Sequence, residues 1–340
     1  MNKAKKGILL VNLGTPDSPA VSDVRRYLDE FLMDERVIDI NPVGRTFLVK
    51  GIIVPFRGPK SAKTYQKIWN ESGSPLLYYS ERVKEMLQEK MGEEYVVELG
   101  MRYRNPSIQS ALQSLKAQNV SSIKVLALFP QYASATTGSV HQKVMEIVRK
   151  WQTIPDISFI NSFHDDPGMI EIFAENGRKY NPESFDHVIF SFHGLPERQL
   201  LKADDSKTHC LKSPDCCARL TEKNKFCYSA QSHNTARLIA ERLNLPKEKY
   251  TVTFQSRLGN DPWVRPYTSD VIHDLAKKGV KRLLIFSPAF VADCLETIYE
   301  IAIEYDEELK ALGGEKVQLV ESLNDNPKWI EVLETILKTA

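Results

Sequence analysis

Short, fully apolar runs alternate along this chain with longer amphipathic ones, and that alternation restricts the fold more than any other feature. Ile8–Val11, Tyr95–Leu99, Ile123–Leu128, Ile157–Ile160, His187–Phe192, Thr251–Gln255, Leu283–Ser287 and Val317–Val320 read as buried strands. Between them, helical spacing covers Val21–Met33, Leu76–Met91, Pro106–Gln118, Ser139–Trp151, Asn234–Leu243, Thr268–Lys278, Leu295–Leu312 and Pro327–Lys338. Asn105-Pro106 and Asn326-Pro327 each place a good N-cap before a proline at the first helical position. Such alternation predicts an α/β fold, a parallel sheet with helices on both faces. With 340 residues, at about 150 per domain, two domains are expected.

One design occurs twice. Ile8-Leu-Leu-Val-Asn-Leu-Gly-Thr-Pro16 resembles Val188-Ile-Phe-Ser-Phe-His-Gly-Leu-Pro196. Ile123–Pro130 resembles Val280–Pro288 with one residue of slip, and a strand ending in arginine (Arg102, Arg257) precedes each of that second pair. The expectation is two similar α/β halves with a cleft between them. Ligands of such sheets bind beyond the carboxyl ends of the strands, which singles out Leu13, Arg102, Tyr132, His193, Arg257 and Cys294–Glu296.

Hydrophobic residues make up 42% and charged residues 26%, which excludes a disordered chain. Lys and Arg total 45 against 44 Asp and Glu, a net charge of +1, and a nucleic-acid-coating protein would need a larger basic excess. No window reaches the length of a membrane span. The apolar stretch Gly7–Asn12 after Met1–Lys6 is too short for a signal peptide, so a cytoplasmic protein is expected. In that compartment the clustered Cys210, Cys216, Cys217 and Cys227 point to metal binding or redox chemistry rather than structural disulfides. Nothing in the pattern speaks to the oligomeric state.

Four segments carry the candidate chemistry. Asn41–Lys60 is apolar, broken by Pro and Gly, and edged by basic residues. It reads either as a buried loop or helix, or as a lip that grips a flat hydrophobic ligand or touches the inner face of a membrane. His193, one step past an apolar strand and beside Gly194, offers an imidazole for proton transfer or metal binding; the plain alternative is a hydrogen-bonded strand-end histidine. Glu296, Glu300 and Glu304 are four apart and would form one column on an α-helix, with no Lys or Arg between Asp293 and Lys310. That row suits a cation path, although solvated acidic faces are common. Gly14-Thr15-Pro16 and Thr136–Ser139 lack the lysine spacing of a phosphate loop, which disfavours a nucleotide.

Taken together the segments resemble the ferrochelatases, which insert ferrous iron into a porphyrin. The resemblance runs through Val11–Pro16, Gly73–Pro75, Met101–Pro106, Phe129–Gly138, Ser191–Pro196, Phe254–Gly259 with Pro262-Trp263, and Phe290–Glu300, in that order. It implies two Rossmann-like halves with four-stranded parallel sheets: residues 1–164 with 325–340, carrying a lip at about 41–75, and residues 165–324, carrying a cysteine-rich insert at about 203–227. It also implies a porphyrin clamped between the halves and bent to expose a nitrogen lone pair. His193 matches the family's active-site histidine and Glu296 its partner carboxylate, both toward the substrate iron. Glu300 and Glu304 match its acidic column; Leu13, Arg102, Tyr103, Tyr132 and Trp263 match its porphyrin pocket. An aliphatic residue at Leu13 resembles the branch that uses protoporphyrin rather than coproporphyrin. Cys294 stands where some relatives have histidine.

Some ferrochelatases hold a [2Fe–2S] cluster on four cysteines, and Cys210, Cys216, Cys217 and Cys227 resemble an internal version of it. The spacing has no paired C-x₂-C of a zinc ribbon, and zinc, reactive thiols or no metal remain the alternatives. The implied reaction is insertion of Fe²⁺ into protoporphyrin IX to form haem, with two pyrrole protons taken up by a base such as His193. Two other functions compete: a cobalt chelatase of a corrin precursor, and a two-lobed carrier that binds a tetrapyrrole without turnover.

Overall fold

The protein, described at residues 5–259 and 261–339 from a computed structural model, folds into two parallel sheets. The strands are β1 (Lys6–Gly14), β2 (Tyr95–Tyr103), β3 (Ser122–Ala127), β4 (Asp156–Ile160), β5 (His187–His193), β6 (Tyr250–Gln255), β7 (Arg282–Phe286) and β8 (Lys316–Leu319). One sheet has the order β2-β1-β3-β4 and the other β6-β5-β7-β8, with every pairing parallel. Each apolar run expected to be a strand is one, and the second order repeats the first with every number raised by four. The duplicated segments accordingly fall on equivalent strands, β1 with β5 and β3 with β7.

The chain divides into two compact units. The first comprises the chain up to Phe129, Ala133–Asn161 and the chain from Asn324; the second comprises Pro130–Tyr132 and Ser162–Leu323. In each, the central strand is sealed by helices on both faces, which is why β1 and β5 are almost continuously buried along their length. In the first unit Leu9, Val11, Ile123 and Val125 pack against Ile108, Leu112, Val140 and Val144 from the flanking helices. The terminal helix Pro327–Thr339 also belongs here: Trp329 and Leu333 are fully buried, and Lys124 Nζ donates to the Leu337 carbonyl at 2.7 Å. In the second unit Ile189, Leu283, Ile285 and Val317 meet Ile272, Ile301 and Leu309.

Helix boundaries follow local capping more closely than periodicity. Pro106 does not open its helix: Asn105-Pro106 is a cis peptide in the preceding turn, and Ser107 caps Ile108–Ala117 by accepting from Ser110 N at 3.1 Å. Asn326 does cap the last helix, its side chain accepting from Lys328 N at 2.9 Å. Pro167–Arg178 is a helix the apolar spacing did not single out; Asp166 accepts from both Gly168 N and Met169 N at its start. The helix after the cysteines begins at Tyr228, six residues earlier than the spacing indicated, with Cys227 in the N-cap position.

Asn41–Lys60 is helical despite its prolines and glycines. An α-turn (Pro42–Thr46), a π-wound stretch (Phe47–Ile53) and a longer α-helix (Val54–Ile68) run on without a break. Val49 and Ile53 turn inward against Leu32 and Ile38, whereas Val43, Phe47 and Phe56 are 81%, 70% and 76% exposed. Of the two readings of this segment, its inner stripe fits a buried helix and its outer stripe an apolar lip.

The turn after β1 depends on Gly14. Its φ is +114°, and a Cβ there would lie 2.0 Å from the Tyr103 carbonyl oxygen on β2. Gly14→Ala should therefore destabilise the protein by on the order of 3 kcal/mol in urea unfolding, with loss of the β1–β2 end pairing. An unchanged unfolding midpoint would refute this account of the turn.

Candidate active site

In a parallel sheet covered on both faces, the first place a strand can present a polar side chain is its carboxyl end, and the best-placed ends flank the position where the strand order reverses. In the second unit that position lies between β5 and β7. His193 is the last residue of β5, and the chain leaving β7 arrives at Asp293, Cys294 and Glu296.

The imidazole of His193 is sealed from solvent at Nδ1, and that nitrogen has no hydrogen-bond partner among the described residues. Phe290 packs edge-on to the ring at 6.4 Å between centroids. Burial lowers the pKa of His193 below the ordinary imidazole value of 6.5, while the nearby Glu296 carboxylate pulls it back in part. The neutral base is thus the favoured form. Trp263 stands on the same side. Its indole lies against Gly194, where a Cβ would come within 3.1 Å of the ring. Its Nε1 is likewise buried without a partner among the described residues. Bonds from Glu197 N to Pro262 O and from Val264 N to Leu195 O hold this segment beside the end of β5.

Glu296, Glu300 and Glu304 sit on Leu295–Tyr305, which is wound as a π-helix rather than the expected α-helix. Its hydrogen bonds span five residues, so side chains four apart do not stack as one straight α-helical column. Their environments also differ. Glu304 is exposed and Glu296 half-buried. Glu300 is enclosed: Ser256 N and Tyr305 Oη donate to its Oε1 at 2.9 and 3.1 Å, and Gln255 Nε2 and Ser256 Oγ donate to Oε2. Burial raises its pKa, and these donors only partly offset the effect.

Gln255 went unnoticed in the sequence. It pairs with His193 across β5 and β6, accepts from Ser191 Oγ at 2.6 Å, and donates to both the Glu296 carbonyl and Glu300. The available signal was a polar residue closing the apolar run Thr251–Gln255. Cys294 is buried at the start of the π-helix, and burial pushes its thiol pKa up, with the Glu296 charge adding to the effect. A neutral thiol is what this position holds.

Tyr132 also belongs to the second unit. Its backbone N–H donates to Gln231 Oε1 at 2.7 Å and its ring meets Phe226 edge-on at 6.4 Å. Leu13, Arg102 and Tyr103 belong to the first unit, at the carboxyl ends of β1 and β2. Leu13 is half-buried. Arg102 pairs with Asp34 and donates from Nε to Ser139 Oγ at 2.6 Å. Tyr103 is fully buried and gives its hydroxyl to the same Asp34 carboxylate at 2.9 Å. Tyr103 therefore braces the strand end from behind and presents no accessible surface.

All four cysteines of the insert are reduced. Their sulfurs converge: Cys227 is hydrogen-bonded to Cys210 and Cys217, and Cys216 Sγ lies 3.7 Å from Cys217 Sγ. The two thiol donors draw the pKa of Cys227 down and are themselves pushed up. Asp204 fixes the loop by accepting from Cys210 N at 2.8 Å and His209 N at 3.0 Å, and Asn224 Nδ2 donates to the Cys216 carbonyl at 3.0 Å. Among the described residues no group of three or more His, Cys, Asp or Glu side chains already stands in metal-holding geometry.

Two four-stranded parallel sheets of this order define a Rossmann-like α/β protein. The solved structure "SirB from Bacillus subtilis with Fe3+" shares the fold, with a TM-score of 0.53 at 12% identity over 98% of this chain and 94% of that one. The ferrochelatase family model matches residues 5–340. A ferrochelatase of Legionella pneumophila (strain Lens) is 44% identical over 333 residues, 98% of each chain. One of Coxiella burnetii (strain Dugway 5J108-111) is 43% identical over 341 residues, 99% of this chain and 94% of that protein. The chain belongs to the ferrochelatase family.

Proposed function

We propose that this chain inserts Fe²⁺ into protoporphyrin IX to form haem, with His193 as the proton acceptor. Membership of the ferrochelatase family supports the reaction, and the buried imidazole of His193, near Glu296 and with no hydrogen-bond partner at Nδ1 among the described residues, supports the assignment. Metal insertion releases two pyrrole protons, so the site needs a base that is neutral at working pH and not already engaged by another side chain. Burial shifts His193 toward its neutral form, and its Nδ1 has no hydrogen-bond partner among the described residues. Glu296 holds compensating charge toward the incoming iron, and the enclosed Glu300 offers a second carboxylate of raised proton affinity further along the π-helix. Exposed Glu304 continues this acidic row toward water. Leu13, Arg102, Tyr132 and Trp263 are the proposed porphyrin-facing positions, with Tyr103 in support behind Arg102.

Replacing His193 with alanine should lower kcat for anaerobic iron insertion, followed by loss of porphyrin fluorescence, by about 10²- to 10⁴-fold. Full activity in that variant would overturn the assignment. The sign of the histidine shift adds a second expectation. Its pKa is lowered, so the accepting form survives into mild acid, and kcat/KM should fall only as the pH drops below about 6.5. An acid limb centred above that value would contradict it.

The insert fits a [2Fe–2S] cluster in its donor set: four sulfurs already drawn together, one of them with a strongly lowered pKa. Cys210, Cys216, Cys217 and Cys227 would hold it, and when bound the group supplies a redox-active iron–sulfur centre. Anaerobically purified protein should then show visible absorption and roughly two iron and two sulfide per chain. A colourless, zinc-loaded preparation would leave zinc as the metal of these thiols.

The exposed Val43, Phe47 and Phe56 lie on one helical run with Lys50, Arg57, Lys60 and Lys63, also exposed. Apolar residues ringed by cations suit the interface of an anionic bilayer. No helix among the described residues is long and apolar enough to cross a membrane, so contact of this kind would be peripheral. The protein should sediment with anionic vesicles, and Phe47→Glu with Phe56→Glu should abolish that binding. Equal sedimentation of the double variant would exclude the lip as the contact.

A further inference from the structure

β5 pairs with β7 only as far as Phe190, so beyond that residue its carbonyls lack a strand neighbour on that side. Side chains take over. Ser287 Oγ donates to the Ser191 carbonyl at 3.0 Å, and Tyr228 Oη donates to the main-chain carbonyl of His193 at 2.8 Å. The phenol of Tyr228 is buried, and burial raises its pKa to the point where it is a donor at any working pH.

Tyr228 is the first residue of the helix Tyr228–Arg242, and its N-cap is Cys227. The end of the helix that carries the phenol is therefore tied directly to the sulfur group. Cys227 is hydrogen-bonded to Cys210 and Cys217, and Cys217 Sγ donates to Ser229 Oγ at 3.3 Å. The next turn is held as well: Gln231 Nε2 donates to the Lys225 carbonyl at 2.6 Å, and Thr235 Oγ1 to the His164 carbonyl at 2.7 Å. A helix gripped in this way can move its first residue only if the insert moves.

We infer that Tyr228 is a positioning residue for metal insertion: it anchors the backbone of His193 and so links the arrangement of the four insert thiols to the placement of the proton acceptor. The inference rests on His193 being that acceptor. Misplacing a reacting group by a fraction of an ångström lowers turnover without weakening binding of substrate held by other residues. A phenylalanine at 228 would keep the ring and its packing and remove only the donor.

Tyr228→Phe, assayed in the full chain, should lose about tenfold in kcat while KM for protoporphyrin and for Fe²⁺ stays within twofold. Because Tyr228 acts through His193, the double variant Tyr228→Phe/His193→Ala should be no slower than His193→Ala alone. The link to the thiols is read without turnover. With ¹⁵N-labelled histidine, the ring signals that vanish in His193→Ala should shift in Cys227→Ser, and the same substitution should cause no such shift in the Tyr228→Phe background. If His193→Ala is inactive but Tyr228→Phe keeps full kcat, the positioning role fails and the acceptor stands. If His193→Ala is fully active, the acceptor assignment fails first. A His193 signal that is the same in wild type and Cys227→Ser would overturn the link to the insert. Should Tyr228→Phe not fold, the comparison of wild type with Cys227→Ser still decides that link.

Discussion

Burying a parallel sheet on both faces governs the rest of this structure. Each central strand must stay apolar while helices cover it, so its polar side chains are pushed to the carboxyl end. β5 is buried from His187 to Phe192 and opens only at His193. β1 behaves alike, opening at Leu13 before Gly14 turns the chain. The same strand order in the second sheet places the equivalent end in the equivalent spot, and there the two repeats differ: an aliphatic side chain in one, an imidazole in the other.

At His193 the consequence is one of desolvation. A histidine whose Nδ1 meets neither water nor, among the described residues, a hydrogen-bond partner is shifted toward its neutral form, and a carboxylate close by limits how far its basicity falls. Glu300 shows the opposite shift from the same cause, since burial penalises its charge and raises its pKa. Burial thus moves both the imidazole and the carboxyl toward their neutral forms. The π-winding of Leu295–Tyr305 sets which carboxylates are enclosed and which meet water.

Much of this was legible in the chain. The eight strands among the described residues correspond to apolar runs in the sequence, and the duplication is visible in the strand ends themselves. His193 could be singled out because a polar residue directly after such a run has few structural reasons to be there, and Glu296 because it opens a row of glutamates four apart with no Lys or Arg between Asp293 and Lys310. Less was legible where a neighbour distant in sequence decides the outcome. Gln255 looks like any strand-end amide until Ser191, Glu296 and Glu300 converge on it. Tyr103 sits beside Arg102 in a suggestive motif, yet Asp34 draws its hydroxyl inward. Periodicity cannot tell a π-turn from an α-turn, so the glutamate spacing suggested a straighter column than the chain forms.

The amino-acid sequence alone determined the class of fold, the order of its elements and the residues at the ends of its central strands, because hydrophobic burial at fixed period is a local property. Tertiary structure decided the chemical state of those residues. Whether an imidazole is neutral, a carboxyl holds its proton, a thiol is drawn toward thiolate or a tyrosine is spent as a brace depends on which charges and donors are packed around it. That enclosure comes from segments far apart in the chain, and no pattern of spacing records it.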